Sequence, residues 1–459
     1  MSLDACLEKM RAAGLPDVAV ETFAHYWRAL EAGETGLIAE SEIEPVESLP
    51  DADDLVEQAD PELLDQAVVL KLNGGLGTSM GMSGPKSLLV AKEGQTFLDL
   101  IARQVLALRR AHTAGGGGSG SGARVPLVLM DSFATRDASL EALDPALAAD
   151  LEPDFLQNKE PKLLVEDLSP VEWPADPALE WCPPGHGDLF TALQTSGLLE
   201  RMLDRGYRYA FVSSSDNLAA VLDARILAWM AAERAPFVME VADRTAADRK
   251  GGHVARSRDG GGLLLREIAQ TADEDVEAFQ DVERHRYFNT NTIWLDLQAV
   301  AGELERRDGV LGLPLIRNRK RVDPSDKSSP EVFQIETAMG AALGVIEGAR
   351  ALRVPRERFT PVKTTNDLLA LRSDAYELRD DGRVVLAAQR PPFVDLDEEH
   401  FKLVADFEAR VEAPPSLRDA TRLVVRGDVT FGPGVVVRGD VEVDAANGPV
   451  RLEDVELQA

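Results

Sequence analysis

The stretch KLNGGLGTSMGMSGPKSLL, Lys71 to Leu89, decides the reading of this chain. It follows a strand-like run, Ala67-Val68-Val69-Leu70, and precedes a helix-like one. Glycines at 74, 75, 77, 81 and 84, the hydroxyls of Thr78 and Ser79, and Lys86 together have the make-up of a phosphate seat. Glycine lets backbone amides come close to an anion, and hydroxyls and an ammonium add donors and charge. Three chemistries use such loops. Hydrolysis in a P-loop needs glycine immediately before the lysine, but Gly84-Pro85-Lys86-Ser87 puts proline there, and proline has no N–H for the cradle. A dinucleotide fold opens as Gly75-Leu76-Gly77 does, yet its next glycine belongs at position 80, which is Met80, and no ribose-binding acid follows at the expected strand end. The third chemistry fits: a nucleoside triphosphate held without hydrolysis, with Gly74-Gly75 against the base and phosphates and Lys86 at the far end of the loop.

Working outward, 459 residues make room for two or three domains and a large core. Lys plus Arg number 49 and Asp plus Glu 79, a formal net charge of −30. Such a surface repels nucleic acid and anionic lipid at long range, so neither is expected as a partner. A polyanionic ligand then needs positive charge gathered locally. Cys6 and Cys182 show neither metal-ligand spacing nor a disulfide framework, which suits a reducing compartment. The start, MSLDACLEKMRAAG, carries acids and no apolar core segment, and no run has the apolar length of a membrane span. A soluble, cytoplasmic protein is expected.

Residues 1 to about 33 place apolar residues at helical spacing and predict two short helices, followed by a Pro- and acid-rich connector around Ile43 to Asp54. Strand-like runs recur at Val68–Leu72, Val125–Met130, Tyr207–Ser213, Phe237–Val241 and Tyr287–Leu295, with helix-like segments at Leu98–Arg110, Leu189–Leu203 and Leu218–Ala232. This alternation predicts a mainly parallel α/β sheet. Gly115 to Gly122, GGGGSGSG, lacks a lysine and a following apolar helix and reads as a linker. VRGDV occurs at Val425–Val429 and at Val437–Val441, a twelve-residue offset that suggests stacked short strands.

These blocks resemble the UTP–glucose-1-phosphate uridylyltransferase family (UDP-glucose pyrophosphorylases) of the eukaryote-like type. The glycine-rich loop is one match. The others are WCPPGHGDLF (181–190), FVSSSDNL (211–218), FVMEVADRTAADRKGG (237–252), REIAQ (266–270), FNTNTIW (288–294), QIETAMGAA (334–342), RFTPVKTTNDLL (358–369) and GDVTFG (427–432). The resemblance implies a Rossmann-like, GT-A-like nucleotidyltransferase domain over 61–385. Around it lie an N-terminal helical segment, 1–60, and a C-terminal linker helix with a short left-handed β-helix, 386–459. It implies transfer of the uridylyl group of UTP to glucose 1-phosphate, with pyrophosphate leaving in line, Mg²⁺ as cofactor, and a monomer or dimer. Related pyrophosphorylases acting on N-acetylglucosamine 1-phosphate or several sugars, and a catalytically silent nucleotide-binding protein, are the alternatives.

In such a reaction the protein must align two polyanions and neutralise the charge between them. By resemblance Lys86 and Lys363 are the catalytic cations, one on each side of the α-phosphorus. Leu72, Asn73, Gly74, Gly75, Gln157, Gly185, Ser214 and Asp216 would hold the nucleotide, with Gln157 reading the uracil edge. Asp216, at the end of the strand-like YRYAFVSSSD, would also hold the metal, since a carboxylate is a hard donor for Mg²⁺; its competing use is as cap of the following helix. Relatives often carry Asn where this chain has Ser214. His186, Gly252, Glu267, Asn289 and Asn291 would take the sugar phosphate, and strand alternation would put both asparagine amides on one face.

Overall fold

The strand Ala67–Leu72, which leads into the glycine-rich loop, lies inside a ten-stranded sheet. Its residues are apolar on both faces because both faces are covered. Val68 and Leu70 pack with the layer of helices Leu189–Thr195, Leu198–Asp204 and Leu297–Arg306, whereas Ala67 and Val69 pack with helices Phe97–Ala114 and Ala224–Glu233. A strand between two helical layers reads as a continuous apolar run for this reason. The computed structural model describes residues 2–56, 61–114, 124–260 and 262–458, so the glycine-serine segment read as a linker lies outside the described residues.

The sheet is mixed, which corrects the expectation of a mainly parallel one. In one half Tyr209–Ser214, Ala67–Leu72, Leu127–Asp131 and Asp154–Leu156 lie side by side and parallel. The long strand Tyr287–Asp296 reverses direction, running antiparallel to Tyr209–Ser214 on one edge and to Phe237–Asp243 on the other. Beyond it, His253–Ser257 pairs antiparallel with Leu263–Arg266 and with Ile43–Pro45, and Arg350–Arg353 runs parallel to Phe237–Asp243. Alternation of strands and helices gives direction only where a helix crosses between neighbouring strands; a tight hairpin such as 253–266 reverses the chain without that signal. Ile43–Pro45, in the stretch read as connector, is one of these strands.

Three helical expectations also shift. The glycine-rich loop does not run into a helix: Lys86–Leu88 makes one 3-10 turn, and a short hairpin, Val90–Lys92 with Gln95–Thr96, comes before helix Phe97–Ala114. The 189–203 segment breaks at Ser196-Gly197 into two helices. Of Leu218–Ala232 only the part from Ala224 is helical, and its cap is Asp223, whose carboxylate accepts from the Arg225 N–H at 2.9 Å. Asp216 is therefore not a helix cap.

Helices Ser2–Ala12 and Asp17–Glu31 form as the periodicity predicts, burying Met10, Phe23 and Trp27 against Leu163, Leu315 and Ile335. At the other end, strands Phe393–Asp395, Ser416–Arg426, Val436–Asp444 and Glu456–Gln458 stack in parallel, and Val429–Phe431 stacks on Val450–Leu452. Stacking by repeat is thus present, but its rung is not the twelve-residue offset: Val425 lies against Val443, and Val437 against Leu457. Buried Phe401, Phe407, Leu417, Leu423, Val425 and Phe431 belong to the same continuous core as helix Phe97–Ala114. Among the described residues no helix is long and apolar enough to cross a membrane.

Candidate active site

The parallel register sets Ser214 beside Leu72, so two loops leave the sheet together at the C-terminal ends of adjacent strands. Such an edge is where α/β sheets collect ligands. One loop is the glycine-rich segment, folded back so that the Lys86 N–H donates to the Gly75 carbonyl at 3.0 Å. The other carries Asp216. Lys86 Nζ donates to Asp216 Oδ2 at 2.8 Å and also to the Val362 carbonyl. Lys363 Nζ reaches the same Oδ2 at 3.1 Å, and the Ser214 hydroxyl donates to Oδ1 at 2.7 Å. The segment bearing Lys363 is tied in place by its backbone, with the Val362 N–H donating to the Asp216 carbonyl at 3.1 Å. Burial pushes the Asp216 pKa up, but Lys363 and Lys86 outweigh it and hold the carboxyl below its ordinary range. Lysines far apart in sequence thus converge on one buried, ionised carboxylate.

Around this centre the expected nucleotide residues fall in different positions. The Gln157 carboxamide lies directly over Gly74, its backbone N–H bonded to the Asp131 carbonyl at 2.9 Å. Asn73 is buried, and its amide donates inward to Asp131 Oδ1 (2.7 Å) and Ser139 Oγ (2.8 Å), so its side chain holds the loop rather than facing a ligand. Leu72 is half-buried at the strand end. Gly185 has φ +78°, and a Cβ there would meet the Thr337 carbonyl oxygen at 2.5 Å. Only glycine fits that place. Thr337 in turn donates its N–H to the Pro184 carbonyl (2.9 Å) and accepts from the Gly187 N–H (2.8 Å), clasping the 184–187 turn from both sides. The Met339 N–H donates to His186 Nδ1 at 3.0 Å, which puts the proton of the neutral ring on Nε2. Burial, then the charge of Lys363, lower the His186 pKa to about 4.

Gly252, Glu267, Asn289 and Asn291 do come together. The Glu267 carboxylate lies against Gly252, and a Cβ on residue 252 would collide with it. Burial raises the Glu267 pKa, an effect the neighbouring Asn289 amide and Gly252 backbone oppose. The asparagines meet in a way that corrects the pleat argument. The register between Phe237–Asp243 and Tyr287–Asp296 slips between Glu240 and Val241, and Asn291 adopts φ +54°. A bulge, which re-aims side chains locally, brings Asn289 Nδ2 to Asn291 Oδ1 at 2.8 Å. A cleft of about 1210 Å³ is lined by these four residues and Lys363 and runs on past Arg356 and Arg358.

Sequence reasoning missed the supports. Arg358 is held by Glu240 through two bonds of 2.9 and 2.7 Å and anchors the segment before Lys363. Asp188, beside His186, accepts from the Asn158 N–H and amide and has a pKa raised by burial to about 7. Lys71, in the quoted stretch itself, is wholly interior and donates to Ser213 Oγ (2.7 Å) and the Ala220 carbonyl (2.9 Å). A charged residue inside an otherwise apolar strand was the available signal. Among the described residues no cluster of three His, Cys, Asp or Glu side chains is placed to hold a metal ion.

Two lysines converging on one oxygen of a buried carboxylate, with a glycine-rich loop on one flank and a pair of asparagine amides on the other, suit an α/β nucleotidyltransferase, which must bring two phosphates together. The comparisons narrow the class: the family described as UTP--glucose-1-phosphate uridylyltransferase matches residues 20–438, and the chain belongs to it. It is 42% identical over 398 residues to the UTP--glucose-1-phosphate uridylyltransferase of Solanum tuberosum, covering 85% of this chain and 79% of that one. Against the Saccharomyces cerevisiae protein of the same description it is 40% identical over 406 residues, covering 85% and 78%. The crystal structure of a mutant of Leishmania major UDP-glucose pyrophosphorylase in complex with UDP-glucose superposes with a TM-score of 0.90 at 44% identity, covering 100% of this chain and 99% of that one. A Trypanosoma brucei structure described as UDP-glucose phosphorylase gives a TM-score of 0.90 at 44% identity over the same shares.

Proposed function

We propose that the chain transfers the uridylyl group of UTP to glucose 1-phosphate, giving UDP-glucose and pyrophosphate by direct in-line displacement. The observation that supports this is the convergence of Lys86 and Lys363 on one oxygen of Asp216 at 2.8 and 3.1 Å, a pair of cations suited to drawing two phosphates together. Family membership supplies the substrates. The sugar-phosphate oxygen attacks the α-phosphorus, the bond to the pyrophosphate oxygen breaks, and no group on the protein is modified. Lys86 binds the triphosphate from the loop side and Lys363 the α-phosphate from the sugar side. The backbone from Leu72 to Gly75 and Gly185 seats the uridine, with Gln157 on the base edge. His186 donates Nε2–H to the sugar phosphate, and Gly252, Glu267, Asn289 and Asn291 bond the hexose hydroxyls.

Mg²⁺ fits as a companion of UTP. Asp216 is one ionised hard donor, and Mg²⁺ is commonly held by one or two carboxylates together with substrate phosphates. Asp216 would hold it, and it would supply charge neutralisation on the leaving phosphates. The same reading takes the left-handed winding of the C-terminal coils, the domain limits 1–60, 61–385 and 386–459, a cytoplasmic location, and a monomer or dimer as part of the proposal. Pyrophosphate release measured with UTP, Mg²⁺ and a panel of sugar 1-phosphates tests it. Glucose 1-phosphate is expected to give the highest kcat/KM. A higher value for N-acetylglucosamine 1-phosphate or galactose 1-phosphate, or no release at all, would overturn it.

A further inference from the structure

A second cavity, of about 240 Å³, opens where helix Phe97–Ala114 crosses the strands Ala67–Leu72 and Tyr209–Ser214. It adjoins the large cleft and shares with it the wall Val221-Leu222. Its lining is mostly apolar, with Ile101, Val105, Phe211 and Leu222 forming the walls, but Lys71, Gln104 and the ion-paired Asp381 and Arg383 line it as well. That lysine is 2% exposed. Its two acceptors, Ser213 Oγ and the Ala220 carbonyl, are neutral, and among the described residues no carboxylate lies within ion-pairing distance; Glu240 and Asp216 act on it only at longer range. Burial, reinforced by the charge of Arg358, pulls its pKa down to about 7. An interior ammonium without a counter-charge is costly, and a methionine of similar length would fill the strand position without that cost. As an ammonium Lys71 has a third N–H beyond these two bonds, with the Phe211 ring centroid 5.6 Å away and the cavity beside it.

We propose that this cavity binds a small amphipathic monocarboxylate, its anionic head on Lys71 Nζ and its apolar body against Ile101, Val105, Phe211 and Leu222. The volume exceeds the roughly 150 Å³ that admits benzene to an apolar interior, so a ring with a short acid-bearing chain fits. The site is coupled to the proposed active centre, because the two acceptors of Lys71 flank Asp216 in the chain. A carboxylate that draws the ammonium toward itself loosens the bonds fixing the turn from Ser213 to Ala220. This coupling rests on the uridylyltransferase reading; binding itself does not.

The test uses the full chain and isothermal titration calorimetry with 4-phenylbutyrate and its neutral counterpart 4-phenylbutyramide. The acid is expected to bind saturably, and at least about tenfold more tightly than the amide, the discrimination a charge-assisted hydrogen bond gives. Lys71→Met is expected to erase the preference for the acid, and Ala107→Trp, which fills the cavity from the helix, to abolish binding of both. Absence of saturable binding, equal affinity for acid and amide in the parent, or undiminished binding to Ala107→Trp would overturn the site. Saturating 4-phenylbutyrate is also expected to lower turnover in the parent but not in Ala107→Trp. Unchanged turnover with the site demonstrably filled would overturn the coupling alone.

Discussion

Lys86→Met removes a charge while keeping most of the side chain's length, so it isolates what the ammonium does. The Lys86 and Asp216 side chains are 13% and 9% exposed and their atoms 2.8 Å apart. At an effective dielectric near 20 the bare attraction over that distance is about 6 kcal/mol, most of which offsets the desolvation of the two groups. Cutting one partner from a buried pair costs about 3–5 kcal/mol when the other charge is stranded. Asp216 is not stranded here, because Lys363 and Ser214 still serve it, so the cost to folding falls below that range and the variant is expected to fold. Turnover is another matter. A cation aimed at charge developing in the transition state contributes about 3–4 kcal/mol, and at 1.36 kcal/mol per decade its loss lowers kcat between a hundred- and a thousandfold. The assay is continuous pyrophosphate release at saturating UTP and glucose 1-phosphate, with thermal unfolding of the same preparation as the control. A folded variant with kcat within threefold of the parent would refute the electrostatic reasoning.

Asp216→Asn is expected to abolish turnover together with any Mg²⁺-dependent gain in UTP affinity measured by calorimetry; an unchanged Mg²⁺ dependence would remove this residue as the metal's protein donor. Gly185→Ala forces a side chain into the left-handed region and onto the Thr337 carbonyl, and is expected to cost about 1–3 kcal/mol in urea unfolding and to raise KM for UTP. His186, held near pKa 4 against an ordinary 6.5, stays neutral in the folded state while the unfolded chain takes up the proton first on acidification. Its contribution to stability is therefore complete above pH 6.5 and is lost between there and about pH 4. A pH–rate profile is expected to show no limb near 6.5 that vanishes in His186→Gln. Asn291→Gly suits φ +54° and removes the amide from the pair with Asn289, so stability is expected to hold while KM for glucose 1-phosphate rises.

Much of this molecule is readable from short runs of its sequence, and the unread part has a common cause. The interior strands 67–72 and 209–214 announce themselves because both faces are buried and nearly every residue is apolar. The strands Ile43–Pro45, Asp154–Leu156 and Leu263–Arg266 are three or four residues long and lie toward the sheet edges, too short for a period to show. In the candidate site Lys86 stands out in its glycine-rich loop and Asp216 at its strand end, Lys363 by resemblance alone, and no spacing rule relates the three. Their common oxygen is a product of strand order. Asn289 and Asn291 illustrate the opposite failure: alternation put them on one face, but a bulge and a left-handed residue are what join them. Asn73 sits in the motif yet its amide faces the core, where Asp131 and Ser139 accept from it.

The shared interior of the C-terminal coils and helix Phe97–Ala114 makes this tail a load the catalytic layer cannot shed. Cutting the chain after the hairpin that ends at Leu386 would strip Phe401, Phe407, Leu417 and Phe431 from the core they share with that helix and leave apolar surface open to water. An amputated protein is expected to clump rather than work as a smaller enzyme, and any insertion meant to tag or tether the molecule belongs beside the exposed pairs Arg422–Asp440 and Arg438–Glu456 on the outside of the coils, never at their base.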